Sequence, residues 1–333
     1  VTSATAVPKV LYLLHHAPVY TPGGVGTYAE ELYRGVRAAG GYDPYIVSRV
    51  GPPQVTAFTP HPGTRLALTG EDPHSYHLYT DRREFVGHGT ALALERLHWS
   101  TTDKQLITRA WRALLTEVDP DLVHLHHLTL IGYDLIRETR ASLPGVPIVY
   151  TLHDFVPICL HDGQMVRNTP ARELCDGASP RRCHQCFPAI EPQTFFLRER
   201  FVKSAMELVD VFIAPSEWVR QRYVEWGLPA DRVIHEPYGH HPVTRLADPP
   251  DAGRRRRLGF FGRLTWSKGV DVLLDALALL GQDAADVELV IHGVWPAGGS
   301  DGRREAAERR FADLGGTVRF AGSYTPGQLP ALM

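Results

Sequence analysis

The chain has 333 residues, 44 % of them hydrophobic and 22 % charged, an ordinary globular composition long enough for two domains rather than one. A formal net charge of -2 argues against a nucleic-acid partner, which needs an excess of Lys and Arg. No apolar run approaches the roughly 18 to 20 residues that cross a bilayer, so no transmembrane segment is expected, while peripheral membrane contact stays open.

Residues 1–8 carry no basic start, no long apolar stretch and no cleavage pattern. No secretory signal is therefore expected, and a cytoplasmic location is. Residues 10–14, Val-Leu-Tyr-Leu-Leu, read as a buried parallel strand. A Gly-rich stretch follows at 21–26, then a helix over 27–39 with Tyr28, Leu32 and Val36 on one face, then a strand at 45–47. This strand, Gly loop, helix, strand order opens a doubly wound α/β fold. Residues 51–102 break the rhythm and read as an insertion without clear elements. A helix is expected over 103–118, where Leu106, Ala110, Trp111, Leu114 and Val118 form a stripe. Strands follow at 122–125 and 148–152. A second irregular insertion spans 155–192, before a helix at 195–209 and a strand at 211–214.

The polar, Pro-rich stretch 241–256 reads as a linker between an N-terminal domain, 1–240, and a second α/β unit, 257–333. Its end, the arginine run 254–257, suits a solvated turn or a local anion contact. In the second unit a strand at 258–261, a loop at 262–268 and a helix at 270–280 precede strands at 287–291 and 318–320. Only three strands are visible, so a truncated doubly wound domain is expected.

Two stretches suit an anionic ligand. In 22–26, Pro-Gly-Gly-Val-Gly, the glycines Gly23, Gly24 and Gly26 let a ligand approach the backbone beside a helix N-terminus, though a tight turn needs no more. In 262–269, Gly262, Arg263 and Lys268 lie between a strand end and a helix start, where two cations suit a diphosphate. Two histidine pairs, His15 with His16 and His126 with His127, close strands at the edge where α/β sheets place ligands. Ligand contacts and polar loop starts both fit them. Asp119-Pro120-Asp121 reads as a turn rather than a metal-binding Asp-x-Asp.

The Gly-Arg-Leu of 262–264, followed by Lys-Gly at 268–269 and an amphipathic helix, resembles the C-terminal motif of the family-four retaining glycosyltransferases, which have the GT-B fold. The Gly loop at 22–26, Pro-Asp-Leu-Val-His-Leu-His at 120–126, Tyr-Thr-Leu-His-Asp at 150–154, and Ala-Pro-Ser at 214–216 with Gly227 and Val233 match the family in the same order. The resemblance implies two Rossmann-like domains facing a cleft. It implies transfer of a sugar from a nucleotide diphosphate donor to an acceptor hydroxyl with retention of configuration, without a catalytic metal. It casts Arg263 and Lys268 as stabilisers of the leaving diphosphate and His153 as a hydrogen-bonding partner of the donor sugar, beside the plainer possibility of a buried core histidine. Gly23, Gly24, Gly26, His126, Asp154, Gly262 and Gly293 fall to substrate binding, with Asp154 orienting His153 or capping a loop. Two departures stand out. The family's Asn-Gly-aliphatic-Asp segment is replaced by Glu-Pro-Tyr-Gly-His at 236–240, and its paired glutamates lie beyond residue 333. A non-catalytic sugar-binding or scaffolding fragment, or a GT-B epimerase or phosphorylase, is the alternative.

All four cysteines, Cys159, Cys175, Cys183 and Cys186, fall in the second insertion, the last two as C-x-x-C. In a cytoplasmic chain this grouping points to structural Zn²⁺, with two disulfides or unligated thiols as the other possibilities. His161 and His184 are spare ligands.

Overall fold

The computed structural model describes residues 7–20, 23–51, 66–69, 72–80, 102–128, 131–240, 256–281, 286–295 and 303–333. Pro22, most of the first insertion, the arginines 254 and 255 and nearly all of the expected linker lie outside these residues. The chain divides into two compact units, Val1–His241 and Pro242–Met333.

In the first unit, β1 (Lys9–Leu14), α1 (Gly24–Ala39), β2 (Asp43–Val50), β3 (Leu66–Leu68) and β4 (Ser75–Tyr79) come first. Then follow α2 (Thr102–Val118), β5 (Leu122–Leu125), α3 (Asp134–Ser142), β6 (Ile148–Thr151), α4 (Pro180–Cys186), α5 (Pro192–Met206), β7 (Val211–Ala214), α6 (Glu217–Trp226) and β8 (Val233–His235). The strands form one sheet in the order β3-β4-β2-β1-β5-β6-β7-β8. All neighbours are parallel except β3 with β4.

Continuous apolar runs account for the middle of this sheet. Leu11, Leu13 and Leu14 of β1 are fully buried, as expected for a strand covered on both faces. Ile107, Trp111, Leu114 and Leu115 of α2 pack into the main core, and the Trp111 indole donates to Thr139 Oγ1 of α3 at 2.9 Å. That bond satisfies the one polar atom that burying a tryptophan brings inside. Ser216 caps α6 by accepting from Val219 N, and Gly227 closes it at φ 113°.

Three expectations needed correction. The 51–102 insertion is not without elements, because β3 and β4 lie inside it and β4 extends the parallel sheet beside β2. Its five residues carry Tyr76 and Leu78 inward, a run too short to stand out as periodic. Helix α1 starts at Gly24, so the Gly loop is partly helix, and its buried face is Gly26, Ala29 and Tyr33 rather than Tyr28, Leu32 and Val36. The cause is a close approach: a Cβ on Gly26 would sit 2.9 Å from Pro18 Cγ. The 155–192 insertion contains α4 and a bridge between Val166 and Leu174.

The second unit contains β9 (Arg257–Arg263), α7 (Val270–Leu280), β10 (Glu288–Val294), α8 (Arg303–Asp313), β11 (Val318–Gly322) and α9 (Leu329–Leu332). Its sheet is parallel in the order β11-β10-β9, with Leu274, Leu277, Leu289 and Ile291 in its core. The doubly wound α/β expectation thus holds in both units. At the carboxyl ends of β9 and β10, Gly293 lies beside Gly262, and a Cβ there would sit 1.9 Å from the Gly262 carbonyl oxygen. Gly293→Ala is expected to destabilise the second unit by about 1–3 kcal/mol or more, the cost of overpacking against backbone. Equilibrium urea unfolding checks this, and an unchanged midpoint would refute it.

Candidate functional site

Strands β1, β5 and β6 are adjacent and parallel, so their carboxyl ends reach one edge. Each is followed by histidines: His15 and His16 after β1, His126 and His127 after β5, His153 with Asp154 after β6. The backbone N–H of His126 donates to the Leu13 carbonyl at 2.9 Å, which carries the sheet register into the cluster. The rings of His15 and His127 lie 4.2 Å apart, and those of His124 and His126 4.1 Å. Tyr28 of α1 packs against Tyr238 with tilted rings at 4.4 Å, and Tyr238 stacks on His153 at 5.4 Å.

A hydrogen-bond chain runs through this cluster. Tyr238 Oη lies 2.6 Å from His153 Nδ1, and His153 Nε2 lies 3.1 Å from His126 Nδ1. His126 Nε2 is buried and has no hydrogen-bond partner among the described residues. One assignment of protons has Tyr238 donate inward, which strands an N–H on His126. The other has both rings donate outward, so that His153 Nδ1–H is accepted by Tyr238 and the Tyr238 hydroxyl hydrogen points to a further acceptor. The second leaves only an acceptor nitrogen unmet, the cheaper defect of the two.

Burial dominates the electrostatics. It pushes His124 and His153 down to about 3, with His127 adding to the effect at His153. Burial also holds His126 and His15 well below the ordinary range, and neighbouring histidines reinforce it. These rings are therefore neutral near pH 7. Asp154 differs: burial would raise its carboxyl, but His127, at 2.6 Å from Oδ2, and the Val156 N–H on Oδ1 more than offset this and hold it low. His127 itself sits at φ 140°, outside the usual range of a non-glycine residue.

The Gly loop divides by position. Gly26 is required by Pro18, whereas a Cβ on Gly23 or Gly24 would meet nothing within 4 Å, so their surface is open. Asp121 Oδ2 accepts from Lys9 N at 2.7 Å, in keeping with a structural turn at 119–121.

In the second unit, Arg263 ends β9, Lys268 closes a single 3₁₀ turn, and Gly269 at φ 76° opens α7. Arg263 and Lys268 are exposed, and among the described residues neither has an ion-pair partner. Lys268 N donates to Thr265 O at 3.0 Å, which folds the loop back over the strand end. Two exposed cations at a strand's carboxyl edge beside a helix N-terminus are a pattern that suits an anion.

The four cysteines line one cavity of about 130 Å³ together with His161. As placed, no three His, Cys, Asp or Glu side chains among the described residues gather closely enough to hold an ion. No disulfide is formed. Burial raises the Cys159 thiol and pushes that of Cys183 up to about 11. Both thiols are therefore protonated near pH 7, and no reactive thiolate is on offer.

A family model described as Glycosyltransferase Family 4 matches residues 22–239, a span that includes the cluster from Gly23 to Tyr238. The chain belongs to glycosyltransferase family 4. Among solved structures it is similar to Anabaena Alr3699/HepE in complex with UDP, at 16 % identity and a TM-score of 0.56, over 97 % of this chain and 71 % of that one. It is similar to OtsA in its apo form at 14 % identity and a TM-score of 0.58, covering 97 % and 75 % of the two chains. The catalytic domain of starch synthase IV from Arabidopsis thaliana, bound to ADP and acarbose, aligns at 15 % identity and a TM-score of 0.55, over 97 % and 76 %. At such identities the likeness is one of fold, and the fold is GT-B. No curated protein matches the sequence. Among the described residues, no helix is long and apolar enough to cross a membrane.

Of the family-4 site residues expected from sequence, the fold brings His126, His153 and Asp154 together with Tyr28, His124 and Tyr238, to which no site role had been given. Tyr238 carried a signal: it lies in the 236–240 segment where the chain departs from the family's pattern. Tyr28 carried none, because its apolar spacing on α1 suited an inward face equally well.

The buried histidines set a pH dependence. Unfolded, they take up protons near about pH 6.5, while the fold keeps them neutral far below that. The unfolded state therefore binds more protons as pH falls below about 6.5, and stability declines. The low Asp154 acts in the same direction at lower pH. The melting temperature is expected to fall steadily from about pH 7.5 to about pH 5, and less steeply in His126→Asn. Calorimetry across that range checks it, and a melting temperature that rises toward acid would contradict it.

Proposed function

We propose that this family-4 protein transfers a sugar from a nucleotide diphosphate donor to an acceptor hydroxyl with retention of configuration, and that it acts in the cytoplasm. The observation that carries the proposal is the β9–α7 loop, where Arg263 and Lys268 stand exposed and unpaired at the strand's carboxyl edge. Structures of similar fold contain UDP, UDP-glucose or ADP, which agrees with a nucleoside diphosphate at this loop.

Cleavage of the donor's glycosidic bond leaves negative charge on the departing diphosphate. Arg263 offers a planar fork of donors and Lys268 a point charge, and both interact more strongly as that charge grows, which lowers the barrier. In the first unit the neutral His153 and Tyr238 suit uncharged hydroxyl groups, and the open surface of Gly23 and Gly24 suits close approach of substrate to backbone.

Retention is supported by what the first unit's groups are poorly fitted to do. His153 and His126 resist protonation, so they are weak general bases. Asp154 is occupied at both carboxylate oxygens, by His127 and by Val156 N, which makes it a poor nucleophile. The departing phosphate oxygen is then the natural acceptor of the hydroxyl proton: the glycosidic C–O bond breaks, the acceptor oxygen bonds to the same face, and its proton passes to the diphosphate.

Titration calorimetry with a panel of nucleoside diphosphates, followed by NMR of the product anomer, tests the proposal. Binding of at least one nucleotide and an unchanged anomeric configuration are expected; no binding to any of them, or inversion, would sink it. Arg263→Ala is expected to lower kcat/KM about 100-fold or more and to weaken nucleotide binding, measured with the same two assays. Tyr238→Phe removes a single hydroxyl and is expected to lower kcat/KM about tenfold, with nucleotide binding to the second unit unchanged.

A further inference from the structure

The Cys-rich segment lies outside the groups used above, and its chemistry has a different purpose. We propose that Cys159, Cys175, Cys183 and Cys186 bind one structural Zn²⁺ as four thiolates.

Three separate pieces of backbone bring the sulfurs to one cavity of about 130 Å³. Cys183 and Cys186 are three apart on α4, so they project from one helix face. Ser179 caps that helix by accepting from Arg182 N. Cys175 N donates to Met165 O at 2.8 Å, next to the Val166–Leu174 bridge, so that a short antiparallel turn carries the third sulfur. Cys159 N donates to Phe155 O at 2.7 Å in the turn that follows β6.

Phe155, Ile158 and Met165 anchor the start of this segment in the main core. Around the helix that carries Cys183 and Cys186 the apolar packing is small: Leu160, Ile190 and Phe195, with Cys183 and Phe187 packed against them. Three of the five non-glycine residues at positive φ among those described, Asp162, Met165 and Arg172, fall here. Backbone in that region is costly and persists only where other bonds over-determine it. A metal centre supplies such bonds, and in a small apolar-poor segment metal binding is folding free energy.

The sulfurs surround a cavity rather than a point because, without an ion, nothing draws them together. Binding Zn²⁺ releases the four thiol protons to solvent and forms four Zn–S bonds of about 2.3 Å. In a tetrahedron that sets the sulfurs about 3.8 Å apart, so the cavity closes around the ion. Four protein ligands leave no open position, which makes the centre structural rather than catalytic. His161 lines the same cavity with its Nδ1 on the Val166 carbonyl at 2.9 Å, and because four thiolates already complete a tetrahedron it is assigned to the wall. His184, tied by Nδ1 to the Ile190 carbonyl, does not line the cavity.

The centre sits directly after the carboxyl end of β6. Arg198 of α5 is buried and donates to the carbonyls of Val156 and Pro157, and Tyr223 Oη donates to the Asp154 carbonyl at 2.5 Å. A zinc at Cys159 pins the far end of the same short segment, and so steadies Asp154 against His127.

The test is the metal content of the full chain, purified without added metal and desalted. About one equivalent of zinc per chain is expected, released in step with modification of four thiols by a mercurial reagent. Growth with cobalt should give a protein with the visible spectrum of a tetrahedral cobalt thiolate. His161→Gln should keep its zinc, whereas Cys186→Ser should lose most of it. Less than about half an equivalent in the unmodified protein, a mass lower by four hydrogens from two disulfides, or iron–sulfur absorption would overturn the assignment. Loss of zinc from His161→Gln would overturn the four-thiolate set.

Discussion

Parallel strands cannot be joined by hairpins, and in the first unit of this protein that constraint decides where chemistry can occur. Each strand must be followed by a crossover that leaves the sheet at its carboxyl edge. Because β1, β5 and β6 are neighbours, the turns after them converge. Residues as far apart in sequence as His15, His126 and His153 are thereby brought into ring contact or hydrogen-bond reach through intermediates. His124 and His126 are buried there and His15 and His153 half-buried, so water solvates the charged forms of these rings poorly. Neutrality at this edge is thus a property of the architecture, since it follows from burial before any particular partner is considered.

The sequence shows this arrangement clearly wherever one kind of order dominates. The run Val10 to Leu14 is apolar at every position, which only a strand covered on both faces explains. The stripe from Leu106 to Val118 has a helical period. The Thr-x-His-Asp ending of β6 matched a family motif that the structure places at the strand's edge. Legibility fails where local signals are short or serve two masters. β4 has five residues and sits in a stretch of Pro, Gly and His, so its alternation is lost in its surroundings. Tyr28 is apolar in spacing yet faces the histidines, and the true inner face of α1 is set by the approach of Gly26 to Pro18, a tertiary contact that no periodicity reveals. Tyr238 could be marked as a departure from pattern, but its hydroxyl's contact with His153 depends on folding across 85 residues.

Two kinds of polar group meet at the β6 edge, and the contrast between them is informative. The chain Tyr238, His153, His126 is uncharged and linear, with a proton that can sit on either side of each contact. Asp154 is a carboxylate fixed in place, since His127 and Val156 N hold its two oxygens and Tyr223 its backbone carbonyl. A neutral chain can exchange one partner for a substrate hydroxyl at the cost of a single hydrogen bond. Removing the donors of Asp154 would instead leave a half-buried carboxylate without its hydrogen bonds, a costlier loss. The first is therefore suited to recognition and the second to holding the turn, and the unusual φ of His127 belongs with the second.

The same logic separates the two units. The cations of the β9–α7 loop are exposed, so water already solvates them, and an incoming diphosphate must compete with that water. Such a site is weak for a single charge and effective only for a ligand with several negative oxygens in a small volume, which a diphosphate has. The histidine edge has the opposite character: partly buried, with neutral rings, it suits, under the proposed function, uncharged hydroxyl groups rather than a charged one. Both ring nitrogens of His153 are already engaged, to Tyr238 and to His126. Under the proposed function, a substrate hydroxyl that reaches His153 would therefore displace Tyr238 or bind through it, which would make the tyrosine a filter on hydroxyl geometry.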